Sequence, residues 1–111
     1  AVAQGVKVSG DPERLISKVA VLAGAGDGYL SQVASTNADL YITSDLRHHP
    51  AQDFAEQSRL ANGPALMDIA HWAAEWVWLD SAKSQLEKLD TQVEFVVSEI
   101  NTDPWTFAVM Q

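Results

Sequence analysis

The sequence predicts an α/β fold, a single three-layer-type domain with a mixed, largely parallel sheet and helices on its faces. Short apolar runs typical of strands alternate along the chain with helical segments, and turns containing glycine or proline separate them. Strands that alternate with helices usually pair in parallel, because each helix carries the chain back along the sheet. A length of 111 residues, with 47% hydrophobic and 20% charged residues, fits one globular domain.

Five apolar runs are predicted to be strands. They cover residues 6–8, 16–23, 39–43, 65–69 and 91–100. The second run (ISKVAVLA) and the fifth (TQVEFVVSEI) are rich in β-branched residues, which favour strands. Pro104 breaks the pattern, and the apolar tail that follows needs a surface to cover it. The apolar residues of this tail are Trp105, Phe107, Val109 and Met110.

Three helices are predicted between the strands. They cover residues 29–35, residues 50–60, and a longer stretch that follows the fourth strand and runs to about Leu89. Pro50 suits the first turn of the second helix, and the Asn62-Gly63-Pro64 run ends it. Asp68 is predicted to cap the N-terminus of the third helix, because a short carboxylate accepts hydrogen bonds from the first free N–H groups.

The glycine-rich run at residues 24–28 (GAGDG) joins a strand to a helix, which is where phosphate-binding loops occur. Its spacing is not that of the dinucleotide fingerprint, and it lacks the Lys-Ser/Thr pair of a P-loop. Asp27 would also repel a phosphate at the start of the helix. The run is therefore interpreted as a tight turn, with nucleotide binding as the weaker alternative.

The composition argues against several classes of function. A net charge of -8, with only seven basic residues scattered along the chain, argues against a nucleic-acid partner. No apolar run approaches the ~20 residues needed to span a membrane. No signal peptide is visible, so we expect a cytoplasmic protein. Because the chain has no cysteine, any metal has to be held by His, Asp or Glu.

His71 and Glu75 are the leading candidates for a functional pair. They lie four residues apart at the start of the third predicted helix, so their side chains point the same way. A carboxylate on the apolar side of a helix needs a partner. The pair is interpreted either as ligands of Zn, Mn, Fe or Co, or as a hydrogen-bonded structural pair. The apolar arc predicted to bury them also contains Trp78, Leu79, Ala82, Leu86 and Leu89.

Four further polar residues follow two of the predicted strands. Asp45, His48 and His49 come after the third strand, and Asp68 ends the fourth. Ligands bind beyond the carboxyl ends of parallel strands, so these residues are candidates for lining a cleft beside His71. The alternatives are that the two histidines are solvated at a loop or helix start, and that Asp45 accepts hydrogen bonds from loop N–H groups.

Trp72, Trp76 and Trp78 cluster within one and a half helical turns. Packing in the core or at an interface is the favoured interpretation of this cluster. A subunit contact is the second, because tryptophan is common at such surfaces.

The runs KVAVLAGAGDGYL, DLYITSDLRHHPA, LMDIAHWAAEW and DTQVEFVVSEINTDPW resemble, in this order, motifs from the C-terminal lobe of the Nif-three-like family. That family is also labelled GTP cyclohydrolase 1 type 2 homologue, and the spacing is similar to that of its actinobacterial members. The resemblance covers residues 10–105. One departure is Ala70, which stands where the family usually has glycine before the H-x-x-x-E histidine.

The resemblance implies two similar α/β lobes that pack around a cleft holding two divalent metal ions. It implies that the N-terminal lobe supplies a His-His pair and an Asp, and that the C-terminal lobe supplies His71 and Glu75. It further implies hexamers and metal-dependent hydrolysis. His48 and His49 match the His-His-Pro motif of the other lobe but stand in this lobe's context, so they stay candidates for lining the cleft.

Residues 1–111 are accordingly expected to be a C-terminal lobe whose partner is the N-terminal lobe of the same protein. Glu75 would bridge the metal ions, and Asp68 would hold the second ring nitrogen of His71. Alone, the lobe is expected to bind metal weakly, if at all, and to be inactive. The alternative is a non-enzymatic assembly or regulatory domain, in which His71 and Glu75 are a structural pair and the tryptophans and tail make the contacts.

Overall fold

Four strands form one mixed sheet in the computed structural model, which describes residues 3–111. The strands are β1 (Lys7–Ser9), β2 (Val19–Ala25), β3 (Leu40–Ser44) and β4 (Ala65–Asp68). Their order across the sheet is β1-β4-β3-β2. β2, β3 and β4 are parallel, whereas β1 is antiparallel to β4. The predicted mixed, largely parallel sheet is therefore confirmed.

β2 begins three residues later than predicted because the chain before it is held by a side chain. The carboxylate of Asp39 accepts hydrogen bonds from the backbone N–H groups of Ser17 and Lys18, at 3.0 and 2.8 Å. β2 also runs further than predicted and takes in the first part of the glycine-rich run. An irregularity between Val21 and Ala25 lets Ala25 pair with the last residue of β3.

Helices pack on this sheet and connect its strands. A 3-10 turn at Asp27–Tyr29 leads into α1 (Leu30–Ala34), and α2 spans His48–Ala61. Asn62 ends α2 in the left-handed conformation, with φ 51°, as its place in the Asn-Gly-Pro run predicts. Two further helices, α3 (His71–Trp76) and α4 (Leu79–Leu89), follow β4. None of the helices within residues 3–111 is long and apolar enough to cross a membrane.

The core lies between the sheet and the α1–α2 pair. Tyr41 of β3 is 1% exposed and lies at its centre. Its hydroxyl donates to the carbonyl oxygen of Gly26 at 2.9 Å, which satisfies the one polar atom on an otherwise apolar buried ring. The side chains that pack with it are Leu30, Val33, Phe54 and Leu66.

The predicted single long helix is wrong: it is two helices, α3 and α4. Val77 and Trp78 keep right-handed helical dihedrals, so the interruption is a local break in hydrogen bonding that no glycine or proline signals. The predicted cap is also wrong, because Ala70 holds the N-cap position. The predicted burial of the arc is wrong along its whole length, since neither α3 nor α4 has a buried residue. The side chain of Glu75 is 58% exposed, and Leu89 at the far end is 82% exposed.

The predicted fifth strand is wrong. Residues 91–111 form no helix or strand, although Val96 and Ile100 have the branched side chains that strands favour. The segment instead lies along α3, where Trp72 Nε1–H donates to Thr102 Oγ1 at 2.8 Å and Trp76 Nε1–H donates to the Ser98 carbonyl at 3.2 Å. The tail beyond it is 62% to 92% exposed at its four large apolar residues.

Candidate metal centre

The carboxyl ends of β3 and β4 lie side by side and place Asp45 next to His71. β3 ends at Ser44, and Asp45 then turns the chain with φ 55°, a left-handed conformation that aspartate tolerates better than most residues. β4 ends at Asp68, and the Ile69 N–H continues the ladder by donating to the Thr43 carbonyl at 2.9 Å. Two residues later, His71 begins α3.

His71 is held by a carboxylate at each ring nitrogen. Its Nδ1 lies 2.5 Å from Asp45 Oδ2, and its Nε2 lies 2.9 Å from Glu75 Oε1. The hydrogen bond with Asp45 raises the pKa of His71; desolvation opposes that rise, and the hydrogen bond with Glu75 adds to it. The three side chains form a partly exposed chain that joins the end of β3 to the first turn of α3.

Gly24 is a site residue that the sequence alone did not single out. Its φ is +81°, and a Cβ there would lie 3.2 Å from Glu75 Oε1 and 3.7 Å from His71 Nε2. Its carbonyl accepts a hydrogen bond from the buried Thr43 hydroxyl at 2.9 Å, which fixes the backbone beside the pair. The position therefore favours glycine both for backbone freedom and for space around the His71–Glu75 pair.

The rest of the glycine-rich run serves close packing. A Cβ on Gly26 would lie 2.0 Å from Thr43 Oγ1 and 2.3 Å from the Tyr41 hydroxyl, so only glycine fits. Asp27, next along, forms an ion pair with Arg47. This geometry is that of the tight turn favoured from the sequence.

Asp68 does not hold His71, so its predicted role as the acceptor of the second ring nitrogen is wrong. Alternation along β4, together with the pairing of β1 with β4, turns its carboxylate to Lys7, whose Nζ lies 2.7 Å away. Asp45 takes the predicted place at His71 Nδ1. Asp68 instead lines a separate cavity of about 370 Å³ together with His48.

His48 and His49 are exposed at the first turn of α2. Their rings pack edge to face, with centroids 5.2 Å apart. Within the described part of the chain, neither ring hydrogen-bonds to His71. The structure thus brings Asp45, His71 and Glu75 together and leaves the two adjacent histidines outside that cluster.

Two of the three clustered tryptophans stack beside Glu75. The rings of Trp72 and Trp76 have centroids 5.9 Å apart and an interplanar angle of 20°. With Trp78 and Glu75 they line a cavity of about 460 Å³. Trp78 is 57% exposed, so packing within the described chain accounts for only part of the cluster.

The donor set fits part of a metal site. Imidazole and carboxylate are suitable ligands for divalent transition metals. Among residues 3–111, no group of three or more His, Asp or Glu side chains is arranged to hold one ion. Asp45 and Glu75 lie at opposite nitrogens of the His71 ring, so the three side chains cannot converge on a single ion as they stand.

The chain is similar to proteins of one family in both sequence and fold. The family model for Duf34/NIF3 (NGG1p interacting factor 3) matches residues 1–104. The GTP cyclohydrolase 1 type 2 homolog of Streptomyces coelicolor is 41% identical over 110 residues, which cover 96% of this chain and 37% of that protein. The homolog of the same name from Mycobacterium leprae is 45% identical over 102 residues, which cover 91% of this chain and 26% of that protein.

The fold agrees with this similarity. The crystal structure of a Bacillus cereus protein related to NIF3 superposes with a TM-score of 0.77 at 33% identity, covering 96% of this chain and 29% of that one. The chain thus spans between about a quarter and just over a third of the length of the relatives it matches. The match over residues 1–104 and the shared fold mean that this chain belongs to the Duf34/NIF3 family.

Proposed function

We propose that this chain contributes His71 and Glu75 as two ligands of a divalent metal site whose other ligands come from outside these 111 residues. The distance from His71 Nε2 to Glu75 Oε1 carries the proposal. The two atoms face each other at 2.9 Å, a hydrogen-bond distance, so both already lie on the same side of α3. Two ligand atoms of a tetrahedral ion lie about 3.4 Å apart, which is a short movement from this arrangement.

Asp45 supports the proposal by orienting the imidazole. Its carboxylate at Nδ1 favours the tautomer whose proton is on Nδ1, which leaves the lone pair of Nε2 on the side of Glu75. Histidine ligands of metals usually donate their other N–H to a carboxylate or carbonyl group in this way. Gly24 adds room, because any larger residue would place a Cβ against Glu75.

For the full-length protein, we propose a hydrolase in which His71 and Glu75 would help to hold two divalent ions in a cleft between this lobe and an N-terminal lobe. Two ligands are too few for a closed site, which accords with the absence of a three-residue cluster among residues 3–111. When bound, a divalent ion supplies the Lewis-acid chemistry that metal-dependent hydrolases use. Assembly into a homo-oligomer is part of the same proposal.

Titration calorimetry with Zn²⁺ or Mn²⁺ tests the ligand assignment. The unmodified chain is expected to take up metal weakly, and the His71→Ala/Glu75→Ala double variant is expected to lose that uptake. Asp45→Asn should weaken binding by about 10- to 100-fold, because it removes the acceptor that orients the ring. Glu87→Ala, which removes a carboxylate of α4 distant in sequence, is the matched control. Equal uptake by the double variant and the control would disprove the assignment.

A second candidate function is non-enzymatic, with Asp45, His71 and Glu75 as a structural triad in an assembly or regulatory domain. The observation that favours it is that a carboxylate lies at each nitrogen of the His71 ring, an arrangement that favours the protonated imidazole. On this hypothesis the chain takes up no metal, and Asp45→Asn lowers its free energy of unfolding. The calorimetric titration and a urea titration of the same variants separate the two candidates.

A further inference from the structure

We propose that the cavity beside Glu75 is a binding site for a planar, uncharged aromatic ring. The proposal goes beyond the proposed function, because it needs the cavity and its ring surfaces and does not need a metal at Glu75. The cavity of about 460 Å³ has the size of a small-molecule site. Its lining includes Trp72, Trp76 and Trp78 together with the carboxylate of Glu75.

The two stacked indoles are already held in place. Trp72 donates its ring N–H to Thr102, and Trp76 donates its ring N–H to the Ser98 carbonyl. Their ring planes differ by only 20°. With both N–H groups used, these residues offer a ligand apolar ring surface and no free donor, which selects a flat apolar group. Rings fixed in advance also lose little conformational freedom when a ligand binds.

In the absence of a bound ion, the side chains around the cavity select against anionic ligands. None of the residues that line it among the described part of the chain is a lysine or an arginine, and Glu75 adds a negative charge. Phosphate recognition relies on arginine, lysine or free backbone N–H groups. In the metal-free chain, a nucleotide therefore finds no cationic side chain for its phosphates in this cavity, whereas an uncharged ring finds an apolar surface. An ion held by Glu75 would add positive charge at one end of the cavity.

The test is a protein NMR titration that follows the four indole N–H resonances. The probes are quinolin-2-one, which is planar and uncharged, piperidin-2-one, which has the same lactam without the aromatic ring, and 1-naphthyl phosphate, which adds charge to a flat ring. Saturable shifts at Trp72 and Trp76 are expected with quinolin-2-one. The other two probes should shift these resonances at least tenfold less at equal concentration.

Variants separate this inference from the proposed function. Trp72→Leu should abolish saturable binding of quinolin-2-one, whereas Trp105→Leu, a change in the exposed tail, should leave it unchanged. His71→Ala, at a residue outside the cavity lining, should lose metal uptake and keep ring binding, so a failed metal assignment does not imply a failed pocket. Trp76→Leu provides a second ring variant if Trp72→Leu does not fold.

Two outcomes would overturn the proposal. One is a shift of the Trp105 resonance as large as that of Trp72, which indicates nonspecific adsorption to exposed indoles. The other is the absence of a saturable shift at Trp72 and Trp76 up to the solubility limit of quinolin-2-one. In that case the stacked rings do not form a site for a planar small molecule.

Discussion

The carboxyl edge of the sheet and the region after Trp76 differ in how their side chains are held. At the edge, parallel pairing of β3 and β4 brings Asp45 to His71, and buried atoms of Tyr41 and Thr43 fix the glycine-rich backbone around them. After Trp76, by contrast, apolar side chains such as Leu89 and Phe107 are mostly exposed. The side chains of the first region are held by contacts with other residues of this chain. The second region is also rich in apolar side chains, but most of them are exposed to solvent.

A matched pair of phenylalanines gives the largest expected contrast between the two regions. Phe54 is 5% exposed in the core and Phe107 is 77% exposed in the tail. Phe54→Ala should lower the free energy of unfolding by about 3–5 kcal/mol, because it opens a cavity and removes buried apolar surface. Phe107→Ala should change it by less than about 0.5 kcal/mol. Urea unfolding followed by circular dichroism measures both, and similar losses would mean that the tail is packed.

Two glycines provide the next contrast, within the edge itself. Gly26→Ala forces a methyl group against Thr43 and Tyr41, both buried, and should cost about 1–3 kcal/mol. Gly28→Ala is the control, because a Cβ there would have no atom within 4 Å. Its effect should stay within about 0.5 kcal/mol. The packing role assigned to the glycine-rich run would be refuted by equal urea midpoints for the two variants.

The sequence predicted the sheet edge well because its signals are local. Short apolar runs separated by helices determine a parallel arrangement, and the end of each strand then locates Asp45 and His71 at one edge. The four-residue spacing of His71 and Glu75 needs only helical geometry, and the two side chains do meet. Membership of the family could likewise be inferred from the order of the motifs.

Most of the misassignments have a different cause, since they depended on contacts with other parts of the fold. The break between α3 and α4 is an exception, because it is local and no glycine or proline signals it. Asp68 is close to His71 in sequence, but β1 lies next to β4 and presents Lys7 to its carboxylate. Gly24 approaches Glu75 only once β2 and α3 are packed together. The run at residues 91–100 has strand propensity, yet a strand also needs a neighbouring backbone, and none pairs with it among residues 3–111.

The pH dependence of stability gives the smallest expected effect and contrasts the same two regions. Hydrogen bonds from the Lys18 and Ser17 backbone lower the pKa of Asp39 from 3.8 to about 2, so folding favours its charged form. Its stabilisation is therefore complete above pH 3.8 and is lost as the pH falls towards about 2. Asp90, after α4, accepts one hydrogen bond, from Gln92 two residues on.

In the unmodified chain, the urea midpoint should decrease as the pH is lowered from 3.8 towards about 2. Asp39→Asn should make this decrease smaller, whereas Asp90→Asn should leave its size unchanged. The physical reason is that Asp39, just before β3, binds the backbone of Lys18, which lies 21 residues earlier and directly precedes β2, while Asp90 stabilises only its own turn. If both variants reduced the decrease in the urea midpoint equally, acid would destabilise the chain through its overall net charge. In that case the hydrogen bonds at the amino end of β3 would not account for the acid sensitivity.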